Sequence, residues 1–121
     1  DEYYIEGKLT SKVNNVNDKK EGIMELFLPD GQLLSRTPYI NDLENGTAYY
    51  YSNGTLLAEA NYKDGKLDGT EKQYYKNGKL QHIKNYKNDK LDGISEFYSE
   101  DGKLISKKVY KDGNLIENWL F

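Results

Sequence analysis

The stretch "GTEKQYYKNGKLQHIKNYKNDKLD", Gly69 to Asp92, is one unit of a repeat, and its glycines set the period. Gly78 belongs to a series Gly7, Gly31, Gly54, Gly78, Gly102, with spacings of 24, 23, 24 and 24. Gly69 belongs to a second series, Gly22, Gly46, Gly69, Gly93, which interleaves with the first. Four residues before each glycine of the first series stands an aromatic: Tyr3, Phe27, Tyr50, Tyr74, Tyr98. Two after it stands Leu9, Leu33, Leu56, Leu80 or Leu104. Eight after it stands Tyr39, Tyr62, Tyr86 or Tyr110, with Asn15 breaking the column. Leu43, Leu67, Leu91 and Leu115 form a further column, broken by Lys20. Repetition at such a period marks a stacked array, in which one unit cannot bury its apolar face alone.

Asn-Gly or Asp-Gly between short aromatic and β-branched runs is a strong hairpin signal. A two-residue loop at Asn77-Gly78 would send Tyr74 and Leu80 to opposite faces, whereas a three-residue loop, Lys76 to Gly78, pairs them. The recurrence of the Tyr74 and Leu80 columns predicts three-residue loops with a left-handed glycine. Counting by twos then places Tyr74, Leu80 and Tyr86 on one face, with Leu91 folding back onto it. Glycine or proline interrupts every stretch longer than 14 residues, and period-2 alternation fits the runs better than 3.6, which disfavours helix. The predicted architecture is all-β, an elongated single-layer antiparallel sheet of tandem hairpins. Its single repeat domain, 1–121, divides into a half unit 1–21 and units 22–45, 46–68, 69–92 and 93–116. The tail 117–121 is expected to cap the last unit, a contact surface being the alternative.

Composition agrees with a thin structure. Of the 121 residues 36% are hydrophobic and 31% charged, yet there are 12 Tyr, 3 Phe and 1 Trp, too many aromatics for disorder. Net charge is −3, and the charges are interspersed, with no basic stripe to suggest nucleic-acid binding. No apolar run approaches the roughly 20 residues of a membrane-spanning helix. The chain opens at Asp1 and reads as a processed or trimmed product, so location, cytoplasmic or exported, stays open. No cysteine is present, and redox compartment stays open as well.

Units such as "YYYSNGTLLAEANYKDGKLDG" and "YYKNGKLQHIKNYKNDKLDG" resemble the bacterial variant of the MORN repeat, as in proteins of the YwqK antitoxin family. The resemblance runs from about Tyr3 to Ile116 and departs from the pattern at Asn15, Lys20 and Glu117. It implies a hairpin array with a scaffold or binding role, in some members the neutralisation of a toxin encoded nearby, and in eukaryotic members membrane association or protein assembly.

No residue pattern demands catalysis, a metal or a cofactor. His82 is the only histidine and occupies a column that holds Ser35, Ala58 and Ser106 in other units, so an ordinary strand residue is expected. The turns "KDGKLDG" and "KNDKLDG" lack the ligand spacing of calcium loops. Asn45-Gly46-Thr47 and Asn53-Gly54-Thr55 match glycosylation acceptors but coincide with turn columns. The tyrosines are first a core. Those left exposed are good contact residues, rigid and amphipathic. Candidate partner-binding residues are Tyr49, Tyr51, Tyr75, Tyr62, Tyr86, Trp119 and Phe121. The chain reads as a non-enzymatic protein-interaction module, with the immunity partner of a toxin as one form of that role. The alternative is an envelope or surface protein that self-associates or touches membrane.

Overall fold

The aromatic and β-branched runs between glycine turns become strands, and the turns decide how they face one another. The computed structural model describes residues 2–5 and 7–121; Asp1, where the chain opens, and Glu6 lie outside them. The half unit supplies β1 (Glu2–Ile5), β2 (Lys8–Lys12), β3 (Asn15–Val16) and β4 (Lys19–Lys20). The next two units supply β5 (Gly22–Phe27), β6 (Leu33–Ile40), β7 (Leu43–Glu44), β8 (Gly46–Ser52) and β9 (Thr55–Lys63). Then follow β10 (Lys66–Tyr74), β11 (Leu80–Lys87), β12 (Lys90–Leu91), β13 (Gly93–Tyr98), β14 (Leu104–Lys111) and β15 (Asn114–Leu120). No helix occurs among the described residues. One open antiparallel sheet runs β1-β2-β5-β6-β8-β9-β10-β11-β13-β14-β15, with β7 on β6 and β12 on β11, while β3 and β4 pair with each other. Neighbours in sequence are neighbours in space, so the predicted all-β hairpin array is the observed fold.

The hairpin tips are of two kinds. At Gly78 the N–H of Tyr75 donates to the Lys79 carbonyl (2.8 Å) and the N–H of Gly78 to the Tyr75 carbonyl (2.9 Å). This is the expected three-residue loop, and it recurs at Gly31 and Gly102. At Gly54 the loop is shorter: Ser52 faces Thr55, and Asn53 and Gly54 are both left-handed (φ 51 and 76). Ile5 likewise faces Lys8 in the half unit. The expectation of three-residue loops throughout is therefore corrected in these two. In the Gly54 hairpin the physical reason is a missing residue, since Gly46 to Gly54 is one shorter than Gly69 to Gly78. Tyr51 consequently takes the place of Tyr74 and pairs with Leu56, while Tyr50 takes the place of Gln73.

A bulge corrects the predicted face. Tyr74 pairs with Leu80 and Gln73 with His82, which leaves Gln81 extra. An inserted residue reverses the alternation beyond it. Leu80 stays with Tyr74 on one face, whereas His82, Lys84 and Tyr86 lie on the other. Leu91 does join Tyr86, as its cross-strand partner. Leu43 does not hold the corresponding place, because Tyr39 faces Glu44.

The turns at the opposite end of the hairpins tie units together. Each is a two-residue turn with both φ positive, as at Asn41-Asp42, Asp64-Gly65 and Asn88-Asp89. Their N–H groups reach the preceding unit: Asp42 to the Lys20 carbonyl (3.1 Å), Gly65 to Glu44 (2.9 Å), Asp89 to Leu67 (2.9 Å) and Gly113 to Leu91 (2.7 Å). The Asp89 carboxylate accepts in return from the Leu67 N–H (2.7 Å). Unit-to-unit hydrogen bonds of this kind fix the stacking of the array.

The sheet has two unlike faces. On one, a row of cross-strand neighbours runs Tyr3, Ser11, Leu26, Ser35, Tyr50, Ala58, Gln73, His82, Phe97, Ser106, Leu120. Large and small residues alternate along its first half. Beside it Gly22, Gly46, Gly69 and Gly93 each pair with a tyrosine of the Tyr39, Tyr62, Tyr86 and Tyr110 column. A Cβ added at Gly46, Gly69 or Gly93 would meet Pro38, Asn61 or Asn85 rather than the opposite ring. The buried positions of this tyrosine face are small: Ala48, Ala60, Ser11, Ser35 and Ser95. The other face carries a row Glu2, Lys12, Glu25, Arg36, Tyr49, Glu59, Lys72, Ile83, Glu96, Lys107, Trp119, in which opposite charges meet across strands.

Candidate binding face

The tyrosine face holds a shallow groove of about 330 Å³, lined by Tyr50, Tyr62, Leu67, His82, Lys84 and Tyr86 among others. Alanines at 58 and 60 form part of its wall and keep it open, since larger side chains there would fill it. The Tyr50 and Tyr62 hydroxyls lie 3.4 Å apart. Burial first, then the Tyr50 hydroxyl, pushes the Tyr62 phenol far above its ordinary value. Burial also raises Tyr39 and Tyr86, reinforced by the Glu44 and Glu71 carboxylates respectively. These rings are held neutral, as hydrogen-bonding and apolar surface. His82 Nε2 lies 3.1 Å from a Glu71 carboxylate oxygen, and its ring is 5.9 Å from that of Phe97. His82 thus sits in the column of Ser35 and Ala58, as expected, and is engaged by a neighbouring carboxylate. The groove lining carries no serine, threonine or cysteine beside this pair. Among the described residues no group of three or more His, Cys, Asp or Glu is placed to hold a metal.

Of the sequence-predicted binding residues the structure brings together only Tyr62 and Tyr86. Tyr49 and Tyr51 are on the charge face, Tyr49 between Arg36 and Glu59. Tyr75 stands at a loop, where its hydroxyl donates to the Tyr98 carbonyl of the next unit (2.6 Å). Trp119 faces Lys107, whose ammonium lies 5.8 Å from the ring centroid. Phe121 donates its N–H to the Ile105 carbonyl and is 71% exposed. In the tail, Glu117 to Leu120 belong to β15, the last strand of the sheet, paired with β14. Sequence reasoning missed Leu67, Glu71, His82 and Lys84 as groove residues and placed Tyr50 with Tyr74. The short Gly46 to Gly54 spacing was the signal that Tyr50 had changed face.

Residues 20–41, 44–64, 67–88 and 91–117 match the MORN repeat variant, each segment beginning two residues before a glycine of the second series. The chain belongs to the MORN repeat variant family. MORN repeats are in general modules of protein and membrane interaction. No curated protein matches the chain. Among solved structures it is similar to the crystal structure of TarM, at 12% identity and a TM-score of 0.53. It is equally similar, at 11% identity and a TM-score of 0.53, to a mutant of S. aureus TarM in complex with Fondaparinux, alpha-GlcNAc-glycerol and UDP. In both, 90% of this chain is covered but only 21% of the other, so the likeness is one of fold alone. In this MORN array the groove of the tyrosine face is one of several, others lying at the Gly31 loop, on the charge face beside Tyr49 and at the Tyr75 loop.

Proposed function

We propose that this chain is a non-enzymatic module that binds a protein segment over its tyrosine face. One observation carries the reading: Ala58 and Ala60 lie low between Tyr50, Tyr62 and Tyr86 and leave a tyrosine-rimmed groove, a surface suited to an extended chain. The immunity partner of a bacterial toxin is the form of this role that the resemblance to the YwqK family favours. Co-expression with products of neighbouring genes, followed by pull-down, tests it. Capture of a neighbour and rescue from its toxicity are expected; no bound protein and no rescue would overturn it. A second reading rests on the exposed end of the array, where Leu115, Ile116, Trp119, Leu120 and Phe121 are all exposed. It is a surface that self-associates or touches membrane. Sedimentation and liposome flotation test this, and a monomer that never floats would remove it.

A further inference from the structure

At one side of the groove, which Lys84 itself lines, two lysines have no salt-bridge partner among the described residues. Lys84 on β11 and Lys108 on β14 place their ammonium groups 5.8 and 5.4 Å from the centroid of the same Phe97 ring. Glu71, the cross-strand partner of Lys84, has its carboxylate on His82 instead. The cross-strand partners of Lys108 are Ser95 and Asn118, both uncharged. Ser95 is 1% exposed, and its hydroxyl has no hydrogen-bond partner. Continuing the β11–β13 register by one residue sets Ser95 against Lys84, so an unused hydroxyl lies in line between the two lysines. Two half-buried cations converging on one ring, above an unpaired polar group, present an unmet demand for an anion in a chain whose net charge is −3.

We infer that Lys84 and Lys108 form a carboxylate-binding subsite for an acidic residue of the protein segment that occupies the groove, with Phe97 as its floor. The inference rests on the protein-binding reading above and names the chemistry of the partner. An Asp or Glu side chain of the partner would bridge the two ammonium groups. The neighbouring groove, centred near β10, would take an apolar or aromatic side chain. The midpoint of the lysines lies about two strand spacings away, about 10 Å, so the two partner residues stand about three apart in an extended segment. A membrane surface fits less well. Electrostatic attraction to anionic lipid takes clusters of about four to eight basic residues, whereas here Lys84 and Lys108 stand together and Lys20, over Tyr39, lies units away. The alternating charges of the opposite face largely cancel.

The test is panning of a random-peptide display library on the immobilised full chain, then fluorescence anisotropy of individual enriched peptides. Enriched sequences are expected to carry Asp or Glu about three residues from an aromatic or aliphatic residue. The Lys84→Gln/Lys108→Gln double variant should lose about tenfold in affinity, the scale of a charge-assisted contact. Lys84→Arg/Lys108→Arg should retain binding, as should Lys12→Gln/Lys72→Gln on the opposite face. Circular dichroism checks that each variant is folded. Tight peptides without an acidic residue, or an unchanged affinity in the double glutamine variant, would overturn this subsite and leave the protein-binding reading standing. A panning that enriches nothing overturns both. Flotation with phosphatidylserine vesicles that depends on the same two lysines, without peptide binding, would assign the site to lipid and overturn the proposal.

Discussion

Gly69 and Gly78 both have positive φ, +105 and +87, yet they are not equally replaceable. A Cβ at Gly69 would stand 3.4 Å from the Asn61 Cβ, whereas nothing lies within 4 Å at Gly78. Both substitutions by alanine force an L residue into a disfavoured region, and only Gly69→Ala also brings its methyl into close contact with a neighbour. Gly69→Ala is expected to destabilise by roughly 2–3 kcal/mol and Gly78→Ala by roughly 1–2 kcal/mol in urea unfolding. Asn61 is itself occupied, bonding Thr47 and the Thr70 carbonyl, and so has little freedom to move aside. A second prediction concerns Tyr74, whose hydroxyl donates to a Glu59 carboxylate oxygen at 2.8 Å. Burial first, then this bond, pushes its pKa from 10.0 up to about 12. A raised acid pKa means the folded state holds its proton longer. The stabilisation is complete below pH 10 and is lost as pH rises through about 12. Phenolate absorbance should show several late-titrating tyrosines, Tyr62 among them, and the component near 12 should disappear in Tyr74→Phe and move towards the ordinary value in Glu59→Gln.

Between strands, the charge face offers a test of register. Glu25 lies between Lys12 and Arg36 and contacts the latter at 3.4 Å. Glu25→Lys would set three cations side by side. A loss of about 0.5–1 kcal/mol is expected, partly recovered by adding Arg36→Glu and diminished at high salt. A null effect at low salt would mean that these side chains do not face one another. The bulges explain why pattern counting reached the hairpins but not their faces. Gln81 and its counterparts shift register by one residue, and a single step is enough to move Tyr86 away from Leu80. Nothing in local composition marks a bulge, because the extra residue is held in place by pairing with the adjacent strand.

Across the whole molecule, each unit touches mainly its neighbours, so stability is a sum along the array rather than the property of one core. The ends are then the weakest part. Trp119 is the only tryptophan and lies on β15, whose residues are all exposed and which is paired on one side by β14. Its fluorescence transition in urea is expected to precede the loss of far-ultraviolet circular dichroism. Coincident transitions would show an array that unfolds as one unit. The repeat, the hairpins, the all-β class and the left-handed glycines at Gly31, Gly78 and Gly102 are legible in the residues alone, because turn chemistry and period are local properties. The sequence also held, in the short Gly46 to Gly54 interval, the clue to the altered third loop. Strand pairing in three dimensions was needed to show which tyrosines share a face, that Glu44 replaces Leu43 opposite Tyr39, and that the tail is paired as a strand. It alone brought Lys84 and Lys108 together over Phe97. Those outcomes depend on bulges and on pairing between strands of different units, which a pattern read along one strand does not contain.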